Sequence, residues 1–141
     1  MAMKIERVKV WAVSLEDKPG ALAAKLAALA QAGADLEFVF ARTLGEPAGT
    51  GVACVTPLKG PAQIRAAKAA GFEDLSRINT VRIETPDAQG VAARLTEKVA
   101  AANLNLRGFS ASAHGKKGII YLAFESGADA AAAVRVLKRL R

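Results

Sequence analysis

The chain has 141 residues, 52% hydrophobic but only 5% aromatic, and a net charge of +7. That length suits one ordinary domain or two very small ones, with a core built from Ala, Val, Leu and Ile. One cysteine (Cys54) and one histidine (His114) exclude an internal disulfide and a thiolate-rich metal centre, and no apolar run approaches the ~20 residues of a bilayer span.

Residues 8–15 form an apolar run that reads as the first strand. The loop Asp17-Lys18-Pro19-Gly20 follows, and then a helix over residues 20–33 with Leu22, Leu26 and Leu29 on one face. Gly33 marks its end. Residues 35–44 read as a second strand, with Leu36, Phe38 and Phe40 on one side. The Gly/Pro-rich stretch 45–51 is a turn joining it to a strand over 52–58. Pro61 opens a helix to residue 70, and 72–75 is a short last strand.

The order then repeats. Residues 80–85 read as a strand, 91–102 as a helix with Val91, Leu95 and Val99 on one face, and 104–112 as a strand. A turn is expected over 113–118, a strand over 119–125 and a helix over 128–140. Asp87-Ala88-Gln89-Gly90 lies seventy residues after Asp17-Lys18-Pro19-Gly20, and Asn105 lies the same distance after Asp35. A fixed offset of this kind is an internal duplication. The expected fold class is α+β: a ferredoxin-like βαββαβ unit repeated twice, with antiparallel sheets and helices on one face. The first unit covers 5–77 and the second 78–141, and the second copy lacks a clear last strand. Strands 8–15 and 119–124 are apolar on both faces, which calls for cover by the other repeat or a second chain.

A strand-to-helix loop collects free backbone N–H groups and the positive end of a helix dipole at one spot. An anionic group is favoured there, and Asp17 could accept a hydrogen bond from an ammonium. Asp17 and Asp87 are equally good helix N-caps, and Asp35 and Asn105 equally good polar strand starts. Cys54 fits a buried small hydrophobe, His114 a surface turn residue and Trp11 a core or interface residue. The sequence contains no Ser-His-Asp set, no His/Cys ligand cluster and no phosphate-loop motif. No catalytic residue, metal or cofactor is therefore expected, and the protein reads as a non-enzyme. The last helix carries Arg135, Lys138, Arg139 and Arg141 at its C-terminus, where cations complement the dipole.

The run 13–22, Val-Ser-Leu-Glu-Asp-Lys-Pro-Gly-Ala-Leu, and Ala32-Gly33-Ala34-Asp35-Leu36 resemble the two signatures of the ACT domain, an amino-acid-sensing regulatory module. Pro86-Asp87-Ala88-Gln89-Gly90-Val91 and Ala102-Asn103-Leu104-Asn105-Leu106 occupy the same places in the second copy, with Gln89 standing where the pattern has Pro. The chain is most similar in plan to stand-alone proteins of two ACT units. That resemblance implies a free amino acid bound near an interface between units. The expected ligand-binding residues are Asp17, Lys18, Pro19, Gly20, Ala21, Leu22 and Asp35, with Asp87, Gln89, Gly90, Val91 and Asn105 in the second copy. The expected partners are that amino acid, a second copy of the chain in a homodimer, and an unidentified regulated enzyme. No membrane partner is expected. Residues 1–6 lack the apolar stretch of a signal peptide, so the expected location is cytoplasmic.

Two other classes remain open on the residues. The strand and helix order is shared with the RNA-recognition motif, and Lys117, Gly118, Tyr121 and Phe124 fall where its third-strand signature has such residues. Ile119, Ile120 and Arg82 depart from it, because base stacking needs exposed rings. A structural protein whose apolar sheet face pairs with another protein fits the same strands.

Overall fold

The computed structural model describes residues 3–75 and 79–140. Two compact units are present. One is Lys9–Leu75, and the other joins the segment ahead of Lys9 to the segment after Leu75. The expected boundary between residues 77 and 78 lies outside the described residues.

In the Lys9–Leu75 unit the elements are β2 (Trp11–Glu16), α1 (Ala21–Gln31), β3 (Phe38–Thr43), β4 (Thr50–Thr56), α2 (Gly60–Ala69) and β5 (Glu73–Asp74). The strands pair antiparallel in the order β3-β4-β2-β5. Trp11, Val13, Ala53 and Val55 project from the sheet onto Leu29 of α1 and Ala67 of α2 and form one core. Both helices therefore lie on one face. Small side chains at the helix contacts compensate for the scarcity of aromatics.

The other unit contains β1 (Lys4–Val8), β6 (Asn79–Pro86), α3 (Val91–Ala101), β7 (Gly108–His114), β8 (Lys117–Phe124) and α4 (Gly127–Lys138). Its order is β1-β6-β8-β7, again antiparallel throughout. Val91, Leu95 and Val99 of α3 and Ala130, Ala133 and Leu137 of α4 pack on Ile5, Val81, Ile83, Ile120, Leu122 and Phe124.

The run expected as one strand over 8–15 is thus two pieces belonging to two sheets. β1 ends at Val8, Lys9 and Val10 are unpaired in the sheets, and β2 begins at Trp11. β1 takes the place of the last strand that the second repeat lacks, with Ile5 opposite Ile83 and Lys4 opposite Glu84. An otherwise bare edge of β6 is paired in this way.

The strands after α1 and α3 start later than the sequence pattern places them. Gly33 at φ 84° and Asn103 at φ 60° turn the chain out of the helices. Leu36, Leu104 and Leu106 then dock on the cores before any ladder forms. Pairing is first reached where Glu37 N–H donates to Thr56 O (3.0 Å) and Arg107 N–H to Ala123 O (2.7 Å). Asp35 and Asn105 accordingly precede their strands instead of opening them. His114, expected in the turn, is the last residue of β7 opposite Lys117, and the turn is Gly115-Lys116 alone.

Candidate functional site

Each repeat opens with the same corner. Gly20 and Gly90 precede α1 and α3 in the left-handed region, at φ 86° and 79°. This conformation strains any side chain bearing a Cβ, and glycine makes it free of that cost. The corners are tied down by matching backbone bonds. Asp17 N–H donates to Gly49 O (2.9 Å), and Asp87 N–H donates to Lys116 O (2.8 Å). Each corner is thereby pinned to the hairpin turn beside it.

The glycines, and not the aspartates, are the helix N-caps, and neither helix has a side-chain cap. This corrects the capping role open to Asp17 and Asp87, because the chain reaches αL geometry three residues later. α4, by contrast, is capped by the Ser126 hydroxyl, which accepts from Asp129 N–H (3.0 Å). Among the described residues, the N–H groups of Leu22 and Ala23, and of Ala92 and Ala93, find no acceptor. The carboxylates of Asp17 and Asp87 are exposed and have no hydrogen-bond or ion-pair partner there either. Each corner therefore presents unused donors beside an unused acceptor.

The other expected residues divide by position. Lys18 pairs with Glu16 at 3.0 Å, both more than half exposed, an arrangement that contributes little to stability. Pro19 and Gln89 are exposed. Leu22 packs against the first core and Val91 belongs to the second, so they anchor the corners. Ala21 is half-buried beside them. Asp35 and Asn105 are exposed but lie beyond the far ends of α1 and α3. Each of these helices has eleven residues, a length of about 16 Å. Within one unit, then, Asp35 does not meet the Asp17 corner, nor Asn105 the Asp87 corner.

A cavity of about 380 Å³ adjoins the second corner. Its walls are Met3 and Lys4, the end of β6 (Glu84, Thr85, Pro86), and Lys116 and Lys117 of the hairpin. Sequence reasoning passed over this basic rim. Lys116-Lys117 between two glycines was the available signal, but Lys4 joins it only through strand pairing. Glu84 Oε1 accepts from Arg82 Nη2 (3.3 Å) and lies 3.6 Å from Lys117 Nζ. The Arg82 hydrogen bond chiefly, with both positive charges, holds the Glu84 carboxyl below the usual carboxylate range. Arg82, only 7% exposed, also reaches Glu6 at 3.4 Å.

Elsewhere, Trp11 is buried in the first core, and Lys9 Nζ lies 5.9 Å from its ring centroid. Cys54 is half-buried in β4, and burial raises its thiol pKa. Tyr121 and Phe124 are buried, so neither offers a ring for base stacking. Among the described residues, no group of three or more His, Cys, Asp and Glu side chains could hold a metal, and no helix is long and apolar enough to cross a membrane.

No family model and no curated protein matches this chain. Solved structures do. Protein BT0572 from Bacteroides thetaiotaomicron is 19% identical with a TM-score of 0.78, covering 96% of this chain and 89% of that one. The regulatory subunit of aspartate kinase from Thermus thermophilus, in its ligand-free form, is 17% identical with a TM-score of 0.66, covering 99% and 96%. E. coli aspartokinase III in complex with aspartate and ADP is 16% identical with a TM-score of 0.57, covering 96% of this chain and 32% of that one. The chain has the fold of the aspartate kinase regulatory subunits, two ferredoxin-like units in tandem, with the second unit's last strand taken from ahead of the first.

Proposed function

We propose that this protein is a non-catalytic regulatory module that binds a free amino acid at a strand-to-helix corner. The observation carrying the reading is the corner itself. Unused N–H groups at a helix N-terminus suit a carboxylate, and the unpartnered Asp17 or Asp87 carboxylate beside them suits an ammonium. Likeness to aspartate kinase regulatory subunits supports the regulatory half of the reading. The ligand's differential affinity for two arrangements of the protein would shift their populations. A homodimer is the form in which we expect this to occur, acting on an enzyme in the cytoplasm. Asp35 and Asn105 then serve at a corner only across an interface, since each lies a helix length from its own.

The test is thermal unfolding of ligand-free protein against each of the twenty amino acids. A ligand at about 100 times its Kd stabilises by about 2.7 kcal/mol, which for a unit of under 100 residues raises Tm by about 10–20 °C. Asp17→Asn or Asp87→Asn should abolish that shift while leaving the unliganded Tm unchanged. A flat response to all twenty refutes the reading.

A further inference from the structure

We infer that the cavity beside the second corner binds a small dianion, a dicarboxylate or a phosphate, through Lys4, Lys116 and Lys117. This goes beyond the proposal above: the cavity adjoins the second corner, but neither Asp87 nor Ala92 nor Ala93 lines it, so it is a separate subsite.

The cavity depends on the unusual origin of β1. β1 runs five residues along β6 as far as the Lys4–Glu84 pair, placing Met3 and Lys4 on its wall. In the first unit the corresponding strand, β5, has two residues and pairs only with Trp11 and Ala12. It stops short of Ser14, which stands seventy residues before Glu84, so that corner has no such wall. The hairpins differ as well. Gly49 and Thr50 occupy the first-unit places of Lys116 and Lys117. The two corners share a backbone and differ in charge.

The electrostatic balance of the wall favours an anion. Glu84 is its only acid, and that charge is already opposed by the buried Arg82. Lys117 contacts the same Glu84 oxygen at 3.6 Å and is 61% exposed, which leaves it free to turn toward a ligand. Lys4 and Lys116 make no side-chain hydrogen bond or ion pair among the described residues. Three lysines against one acid leave the wall with a net positive charge, which favours an anion. A volume of about 380 Å³ is ample for a small dianion. Asp87, the nearest acid in sequence, is not on the wall.

Isothermal titration of the full chain with inorganic phosphate and with succinate tests this, with glycine as the neutral zwitterion. At least one dianion should bind, more weakly as salt rises. Lys4→Gln/Lys116→Gln should weaken that binding by about tenfold or more, while Lys68→Gln on α2 leaves it unchanged. Phosphate preferred over succinate identifies a phosphoryl ligand, and the reverse a dicarboxylate. Lys116→Gln alone, in an exposed turn, carries the test if the double variant does not fold. Absence of binding by both dianions overturns the inference, as does binding undiminished in the variants. An amino acid bound normally by the double variant, with no dianion bound by the wild type, overturns it and leaves the amino-acid reading standing. Dianion binding lost in the variant, beside a flat amino-acid screen, supports it and removes the amino-acid reading.

Discussion

Replacing Ile5 with alanine tests the unexpected feature of this fold, the placement of β1 in the second sheet. Ile5 is 8% exposed and sits opposite Ile83 in the second core. The change removes about three carbons, at roughly 0.8 kcal/mol each, and leaves space that the flanking strand only partly refills. The loss is about 3 kcal/mol, inside the ~2–5 kcal/mol range for such truncations. Hydrogen exchange read by peptide should show β6 and β8 amides losing about 150-fold in protection, the equivalent of that energy. Amides of β2 and β4, whose core is built around Trp11, should keep most of theirs, and the environment-sensitive fluorescence of Trp11 gives a second reading of that core. An equal or larger loss in β2 and β4 refutes the assignment of Ile5 to a core separate from Trp11.

Three further outcomes follow from particular contacts. A Cβ at Gly51 would lie 2.8 Å from Arg42 O, so Gly51→Ala should push β3 from β4 and cost about 1–3 kcal/mol, measured by urea unfolding followed at Trp11. Glu84 titrates below its ordinary value when folded, so its stabilising effect is complete above the unfolded carboxylate pKa and is lost as pH falls through the folded one. Glu84→Gln should therefore flatten the acid limb of stability as pH falls below the ordinary carboxylate value of 4.5, read from urea midpoints. Burial raises the Cys54 thiol, so at pH 8 it should react with a thiol reagent at least about tenfold more slowly than free cysteine.

Local chemistry made much of this molecule legible. Leu22, Leu26 and Leu29, like Val91, Leu95 and Val99, repeat at the helical period, and they are the residues found facing the cores. The hairpins are announced by their glycines, and the seventy-residue echo of the Asp17 loop located both corners, because a strand-to-helix turn is specified by residues adjacent in the chain. The extent of β1 was not legible. Three of the five residues in Lys4-Ile5-Glu6-Arg7-Val8 are charged, and the apolar run 8–15 reads the same on both faces, so alternation could not mark a break at Lys9 and Val10. Pairing of Ile5 with Ile83 joins residues far apart in sequence, and only the closed sheet, with an edge on β6 to fill, decides it. For the same reason Lys4 meets Lys116 and Lys117 around one cavity although no local pattern links them. Backbone conformation was written in short segments of this chain, whereas the charge surrounding the second corner was set by which distant strand completed the sheet.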